Sequence, residues 1–261
     1  MRPERNCLIG IMIFLSLGCA TCQVDGSGQD LDAQLYLPMN GADGSTAILN
    51  EGSGSHVFTA SGNTQIDTSQ FQFGGTSLQF DGTGDFADTP DHANFDLSGG
   101  IWTVDFWARF TQLVTDNCIF SQSTTVDTDY FLIYTSGTAL GFAVVAGGAV
   151  AVSKSTGNLV VDRWYHFAIV ENGNAYQVWV DGKKAASITY DSDRPANYTS
   201  VATIGKNIGT SGGGEKYMTG WIDGFRFSKG VVRYKVDDGF RSRASRYTTG
   251  DTGIMSFQND F

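Results

Sequence analysis

An all-β sandwich of two antiparallel sheets is the fold class that the sequence predicts. From Leu35 onward, apolar and polar residues alternate in short stretches, which is the pattern of half-buried strands. Gly, Asn and Asp separate these stretches, and the 33 Gly and only 4 Pro among 261 residues favour tight turns over helices. No long stretch shows the helical period. The length suits one such domain and is too short for two.

The clearest strand is predicted over residues 102–110. Its apolar positions, which we assign to the core, are Trp102, Val104, Phe106, Ala108 and Phe110. If the neighbouring strands alternate in the same way, the outward face of this sheet carries Asp105, Trp107, Arg109, Trp164, His166, Gln177 and Trp179. Such a surface can hold a sugar, because rings stack on C–H faces while polar groups bond to hydroxyls. The alternative is that the rings only support the sheet.

Two further strands are predicted from Trp164 to Val170 and from Ala175 to Val180. The dipeptide Asn172-Gly173 lies between them and supplies the positive φ angles of a type I′ hairpin turn. Asp181-Gly182 predicts another tight turn directly after the second strand. Both turns indicate consecutive antiparallel strands in this part of the chain.

Residues 1–20 have the pattern of a secretory signal peptide. A positively charged start precedes an apolar run from Leu8 to Leu17, which is too short to span a bilayer, and Gly18-Cys19-Ala20 fits a cleavage site. In the alternative interpretation, Leu17-Gly18-Cys19 is a partial lipobox and Cys19 carries a lipid anchor. Residues 21–30 are rich in Gly, Ser, Asp and Gln and predict a flexible spacer.

Cys22 and Cys118 are the thiols that follow the predicted cleavage site. They pair in an oxidising compartment if the fold brings them together. The alternative is that Cys118, flanked by Ile119 and Phe120, is a small buried apolar residue.

The formal net charge is −10 at pH 7. Nucleic-acid binding requires a basic face that neutralises phosphates, so this balance argues against a nucleic-acid partner. It is compatible with neutral glycans and with calcium.

The sequence lacks the patterns that hydrolysis requires. A glycosidase needs two suitably spaced carboxyl groups, but the only glutamates are Glu4, Glu51, Glu171 and Glu215, and Asp105 is the sole acid of the 102–110 strand. His56, His92 and His166 lie far apart in sequence, without a nucleophile elbow or zinc-ligand spacing. We therefore predict a protein without catalytic activity.

Several segments carry a family resemblance. The run Gly220-Trp221-Ile222-Asp223-Gly224-Phe225-Arg226-Phe227-Ser228-Lys229-Gly230 resembles the closing strand of laminin-G-like domains of the concanavalin A-like lectin and glucanase type. Residues 73–82, 102–107 and 163–168 resemble further segments of the same family in the same order. The resemblance implies a concanavalin-like jelly roll over residues 31–247. Gly224 stands where the family has a second acid.

The resemblance also implies one structural calcium ion. Its ligands would be the Asp223 carboxylate, carbonyl oxygens near Asn40 and Gly82, and the Asp43 side chain. The alternative is that Asp223 caps a turn while Asp43 is solvated.

Residues 248–261 allow two interpretations. Asp251, Ile254, Met255 and Asn259 repeat the spacing of Asp32, Leu35, Tyr36 and Asn40, as if a second unit began there. The alternative is a C-terminal tail or strand at the edge of the sheet.

Loops at the rim of the sandwich are the predicted ligand sites, because function on a rigid scaffold resides mostly in loops. The residues that we assign to ligand binding are Asp127, Asp129, Tyr130, Asp193, Arg194 and Tyr198; each loop is alternatively a polar surface turn. The sequence predicts a secreted or envelope-associated module that binds a glycan or cell-surface polysaccharide. The alternative is a structural or interaction protein of a cell surface or phage appendage, with protein partners.

Overall fold

The structure is a computed structural model of the chain, and it describes residues 32–114, 117–125, 128–189, 195–207 and 215–235. The predicted signal peptide with Cys19, the spacer, Cys22 and the C-terminal tail lie outside the described residues. Within them the chain forms fifteen strands, numbered β1 to β15 in chain order, and one short 3₁₀ helix, Ala93–Phe95. No helix in these ranges has the length and hydropathy of a membrane span.

The fifteen strands form two antiparallel sheets. The first contains β1 (Ala33–Leu37), β3 (Gln65–Asp67), β4 (Ser77–Asp81), β6 (Trp102–Phe110), β11 (Trp164–Glu171), β12 (Ala175–Val180), β13 (Lys183–Thr189) and β15 (Thr219–Lys229). The second contains β2 (Thr59–Ser61), β5 (Phe86–Thr89), β7 (Asn117–Thr125), β8 (Asp129–Ser136), β9 (Ala139–Ala146), β10 (Ala149–Thr156) and β14 (Ala202–Ile204).

The first sheet has the spatial order β13-β12-β11-β6-β15-β4-β3, and β1 also pairs with β15. The second has the order β10-β9-β8-β7-β14-β5-β2. Strands that are distant in sequence therefore lie side by side in both sheets, as in a jelly roll. The predicted fold class is confirmed.

β15 pairs with two different strands on one side. Its first half pairs with β4 from Thr219 to Ile222, and its second half pairs with β1 from Phe225 to Ser228. A bulge separates the halves, where Gly224 has a φ of +62°, a conformation that glycine adopts without steric strain. The glycine that replaces the second acid of the closing-strand motif therefore lies where β15 passes from one neighbour to the next.

The core lies between the two sheets. The predicted inward residues of β6 are all buried: Trp102, Val104, Phe106, Ala108 and Phe110. Phe106 stacks on Phe225 with ring centroids 5.8 Å apart, and Phe225 stacks on Phe120 of the second sheet at 5.7 Å. These rings connect the two sheets directly. The prediction for residues 102–110 is confirmed.

β11 and β12 pair as predicted, but the predicted type of turn between them is wrong. Gly173 has a φ of +93°, whereas neither Asn172 nor Asn174 has a positive φ. Positive φ at the first central residue alone is the pattern of a type II′ turn. The Asn172 side chain fixes it by accepting a hydrogen bond from the Ala175 N–H at 2.9 Å. The type I′ pattern occurs instead at Asp181-Gly182, where φ is +48° and +73°.

Part of the outward face of the first sheet is covered by the chain itself. Asp105, Trp107, His166 and Trp179 point away from the core, yet each is at most 4% exposed. Residues 231–234 lie over part of this region: the Thr103 hydroxyl donates to the Val231 carbonyl at 3.0 Å, and the Tyr234 ring packs against His166 and Trp179. These rings therefore support the sheet and present no open surface to a sugar.

Candidate functional site

Another part of the same face is partly open to solvent. A row of side chains crosses five neighbouring strands and consists of Gln65, Gln79, Trp221, Arg109 and Trp164. Each stands directly opposite the next in the strand register, and each is partly exposed. Because neighbouring strands are about 4.8 Å apart, the row extends over about 19 Å. We call these five residues the open row.

Trp221 lies at the centre of the open row and is oriented by its neighbours. Its indole N–H donates to Asp67 Oδ1 at 3.1 Å, and the Arg109 guanidinium lies 6.0 Å from the ring centroid. Arg109 also forms an ion pair with Asp162 at 2.9 Å. These contacts place a flat apolar ring beside hydrogen-bonding groups, the combination that proteins use to hold sugar rings.

A polar pocket of about 460 Å³ lies at the β3 end of the open row. Its lining side chains include Asn63, Thr64, Gln65, Gln79, Asp81 and Asp85. Gln65 and Gln79 belong to both the pocket and the open row. The two features therefore form one continuous surface.

Asp85 is the buried carboxyl group of this pocket. Its Oδ1 accepts a hydrogen bond from the Asn63 N–H at 2.5 Å, and its Oδ2 accepts one from the Asp81 N–H at 2.7 Å. The pKa of Asp85 is raised, mainly because the group is buried, and the neighbouring Asp81 carboxyl group adds to this effect. The hydrogen bonds from the two backbone N–H groups oppose the shift without reversing it. A Cβ at Gly62 would lie 2.4 Å from Asp85 Oδ1. The backbone thus encloses this carboxyl group tightly.

The predicted rim loops meet at one end of the second sheet. Asp129 Oδ1 accepts a hydrogen bond from the Gly147 N–H at 2.8 Å, and the Thr124 hydroxyl donates to the Asn197 carbonyl at 3.3 Å. Asp129 and Tyr130 are partly exposed. Their role in ligand binding stays a prediction.

The other rim residues are distributed differently. Tyr198 is fully buried in the core, and its hydroxyl donates to the Val145 carbonyl at 3.4 Å. The structure therefore assigns Tyr198 to the core, which corrects the role in ligand contact that the sequence suggested. Asp127, Asp193 and Arg194 lie outside the described residues.

Asp223 anchors a loop instead of facing solvent. Its side chain is fully buried, and Oδ2 accepts hydrogen bonds from the Gln72 and Phe73 N–H groups at 3.0 and 2.8 Å. Phe73 then packs edge-on against Trp107, with ring centroids 5.4 Å apart. The turn-capping alternative therefore describes Asp223 well.

The four residues assigned to calcium do not converge on one site. Asp43 Oδ1 accepts a hydrogen bond from the Thr68 N–H at 3.0 Å, and Asn40 follows Met39, whose carbonyl accepts one from the Thr76 hydroxyl. These contacts lie near the start of β4. Gly82 follows the end of β4, and the β4–β15 register places it about 17 Å from Asp223 along the strands. Gly82 thus does not fit the predicted ligand set.

The described part of the chain contains no group of three or more His, Cys, Asp and Glu side chains that could hold a metal ion. Calcium binding near Asp223, Asn40 and Asp43 stays a prediction of the family resemblance.

Asp105 is a structural carboxylate. Both its oxygens accept hydrogen bonds from Arg226, from Nε and from Nη2, each at 3.1 Å. Burial by itself would raise the pKa of Asp105, but the charge of Arg226 and, to a smaller extent, His166 and Arg233 lower it to about 2. Since the group is fully buried and paired with a cation, it cannot reach a substrate.

Two histidines that are distant in sequence meet in the structure. His56 and His92 have ring centroids 5.1 Å apart, and His56 also packs on Phe95. Burial, followed by the charge of His92, lowers the pKa of His56. His92 Nδ1 accepts a hydrogen bond from the Asn94 N–H at 3.1 Å, which caps the 3₁₀ helix. This pair stabilises a helix end.

Sequence reasoning missed most of the open row and the pocket. It placed Arg109 and Trp164 on the outward face, but Gln65, Gln79 and Trp221 join them only through the strand register. A local signal for the pocket was present in Asp81-Gly82-Thr83-Gly84-Asp85, where two acids flank a turn. Asn63 and Thr64 had no comparable signal.

Two packed antiparallel sheets with this strand order define a concanavalin-like sandwich. The chain belongs to the concanavalin A-like lectin/glucanases superfamily, in its laminin G-type branch, which matches residues 81–233. This match covers more than half of the chain and confirms the resemblance. No curated protein matches the chain.

Several solved structures share the fold. The binding domain of botulinum neurotoxin serotype D/C VPI 5993 has a TM-score of 0.60 at 14% identity, with 80% of this chain and 51% of that chain covered. A structure of botulinum neurotoxin type C, whose cell entry depends on interaction with two ganglioside molecules, has a TM-score of 0.56 at 13% identity, with 76% and 47% covered.

The binding domain of botulinum neurotoxin DC, in complex with rat synaptotagmin II, has a TM-score of 0.55 at 14% identity, with 85% of this chain and 50% of that chain covered. The chain thus spans about half the length of these neurotoxin domains. At such low identity, the likeness shows the fold alone.

Proposed function

We propose that this domain is a non-catalytic carbohydrate-binding module and that the open row is its binding surface. The observation that carries the proposal is the placement of Trp221 between Arg109 and Gln79, partly exposed and held by Asp67. A sugar ring stacked on the indole would find hydrogen-bonding side chains on both sides. With a length of about 19 Å, the row suits an oligosaccharide better than a single sugar.

The arrangement of the carboxyl groups supports the non-catalytic part of this proposal. A retaining glycosidase holds its two carboxyl groups about 5 Å apart, one as nucleophile and one as acid. Asp105 is buried in an ion pair, and the Asp81 and Asp85 carboxyl groups are close enough for a hydrogen bond between them. Neither arrangement matches that requirement. We expect no release of reducing ends from polysaccharides.

Two structures with the same fold are consistent with a receptor-binding module. The cell entry of one toxin depends on gangliosides, and the binding domain of another is in complex with synaptotagmin II. Export and surface attachment, through the predicted signal peptide or a lipid on Cys19, belong to the same proposal and rest on the sequence.

Trp221→Ala should weaken glycan binding by about 30-fold, because central aromatic residues contribute about 2 kcal/mol or more at binding surfaces. Trp221→Phe, which retains a ring, should lose less. The measurement is retention on a polysaccharide panel with competition by soluble glycan, followed by calorimetry on the best ligand.

Val57→Ala is the control, because Val57 is 76% exposed and belongs neither to the open row nor to the residues that line the pocket. It should bind as the unmodified protein does. Equal binding by Trp221→Ala and Val57→Ala would contradict the proposed surface. Retention of a protein without any competable glycan would favour the interaction-protein alternative.

A further inference from the structure

The open row contains two aromatic residues at a fixed interval. Trp221 pairs with Arg109, and Arg109 pairs with Trp164, so two strand spacings separate the two tryptophans. Paired residues in antiparallel strands project from the same face, and both tryptophans are partly exposed. Since neighbouring strands are about 4.8 Å apart, the two backbone positions lie about 10 Å apart along the row. The surface therefore offers two stacking positions rather than one.

This interval suits one kind of glycan chain. In a β-1,4-linked chain of pyranose rings with equatorial linkages, each sugar advances the chain by about as much as one strand spacing. Alternate sugars of such a chain lie on one straight line, so a first and a third unit can stack on Trp164 and Trp221 while the second lies over Arg109. Chains with α-1,4 or β-1,3 linkages curve and leave a straight row. The spacing of the rings therefore favours a straight chain.

The charges along the row favour a neutral chain. Arg109 is the only charged residue among the five of the open row, and its guanidinium is already paired with Asp162 at 2.9 Å. Asp67 lies beside Trp221, and the pocket at the β3 end is lined by Asp81 and Asp85 without any Lys, Arg or His. An acidic glycan would meet more negative than positive charge on this surface.

We propose that the open row binds a neutral, straight, β-1,4-linked glucan or mannan chain that runs across the strands, with alternate sugars stacked on Trp164 and Trp221. Gln79 and Gln65 continue the row at the same interval and would bond to hydroxyl groups of the next two units. This inference rests on the proposed function and deepens it, because it names the linkage and the charge of the ligand. Three sugars are then the shortest chain that reaches both rings.

The test is calorimetry at pH 7 with two series of oligosaccharides, cello-oligosaccharides and β-1,4-manno-oligosaccharides, each from two to six units. Within the better series, affinity should rise about tenfold between two and three units, because the third unit brings the second ring into contact. Maltohexaose contains the same sugars as cellohexaose with α-1,4 linkages, and the matching hexaose of the better series should bind at least about tenfold more tightly.

A second matched pair tests the charge. A β-1,4-linked hexamannuronate differs from β-1,4-mannohexaose only in the carboxylate that each sugar carries. We expect it to bind more weakly than mannohexaose at low salt, where repulsion by the acidic residues is least screened. Tighter binding of the mannuronate would show that the ligand is an acidic glycan and that the assignment of a neutral chain is wrong.

Variants of Trp164 test the second stacking position. Trp164→Ala should remove the gain in affinity between two and three units, whereas Trp164→Phe, which retains a ring, should keep most of it. Val57→Ala is again the control and should show the full gain, because Val57 is 76% exposed and lies outside the open row. A thermal melt of each variant checks that the fold is intact.

Three outcomes would overturn the inference and leave the proposed function in place. They are equal affinity for the straight and the curved hexaoses, no gain between two and three units, and binding of neither series by a protein that still binds another glycan through Trp221. If no glycan binds at all, the proposed function is wrong as well.

Discussion

Replacing Asp105 with Ala should lower the free energy of unfolding by about 3–5 kcal/mol. The change removes the two carboxylate oxygens that accept hydrogen bonds from the Arg226 guanidinium, which is 3% exposed. The buried cation would then lose its bidentate carboxylate, and removing one side of a buried ion pair is strongly destabilising. Urea unfolding followed by tryptophan fluorescence measures the effect.

Two comparisons separate burial from charge. Glu215→Gln breaks the Lys206–Glu215 pair at 2.6 Å, in which the glutamate is 54% exposed, and should change the stability by less than about 1 kcal/mol. The double variant Asp105→Leu with Arg226→Met should be more stable than Asp105→Ala, because the cation that Asp105 binds directly is removed together with it. A loss below about 1 kcal/mol in Asp105→Ala would show that the pair is dispensable.

The same ion pair should make the free energy of unfolding depend on pH. The pKa of Asp105 is about 2 in the folded protein and 3.8 without the fold, so the folded state binds the proton more weakly. The stabilisation by the Asp105 carboxylate is present above about pH 4 and is lost as the pH falls towards 2. The difference between the two pKa values corresponds to about 2 kcal/mol of stability. Asp105→Asn should show a flatter loss of stability in this range.

Gly220→Ala is the second substitution with a large expected effect, a loss of at least about 3 kcal/mol. Gly220 has a φ of +140° between β6 and β4, and a Cβ there would lie 2.0 Å from the Arg109 carbonyl oxygen. Neither atom belongs to a flexible side chain, so the strands would have to separate. Thermal and urea unfolding would show the loss, and glycan binding should fall with it because Trp221 is the next residue.

Two other glycines give matched controls for this substitution. Gly99→Ala should change stability by less than about 0.5 kcal/mol, because no atom lies within 4 Å of the added Cβ. Gly230→Ala also meets open space but has a φ of +78°, so it should lose about 1 kcal/mol from backbone strain alone. If Gly220→Ala were no worse than Gly230→Ala, the close approach of β15 to β6 would be irrelevant to stability.

The fold was predictable because its signals are local. Residues 102–110 alternate in sequence and the predicted inward residues are all buried, and the family motif of the closing strand is contiguous in β15. The type of hairpin turn at Gly173 was less accessible, because Asn172 uses its side chain to bond the turn instead of adopting a positive φ. Side-chain competition of this kind has no clear sequence pattern.

The site was less predictable because it depends on register. Gln79 and Trp221 are adjacent only because β4 pairs with β15, and no spacing in the sequence contains that information. Burial caused the other errors: Trp107 and His166 occupy the outward face as predicted, but the Phe73 and Tyr234 segments lie over them. Tyr198 looked like a loop residue, although its ring belongs to the core.

The position of β15 also determines when the domain can fold during synthesis. This strand is the last one of the described chain, yet it lies at the middle of the first sheet between β6 and the pair β4 and β1. Until residue 229 has left the ribosome, β6 and β4 have exposed edges and Phe225 is missing from the stack between the sheets. Non-local strand pairing of this kind is slow and cannot begin early. A growing chain would therefore keep both sheets incomplete until β15 has been synthesised, and any factor that acts on the chain before that point meets it in an unfolded state.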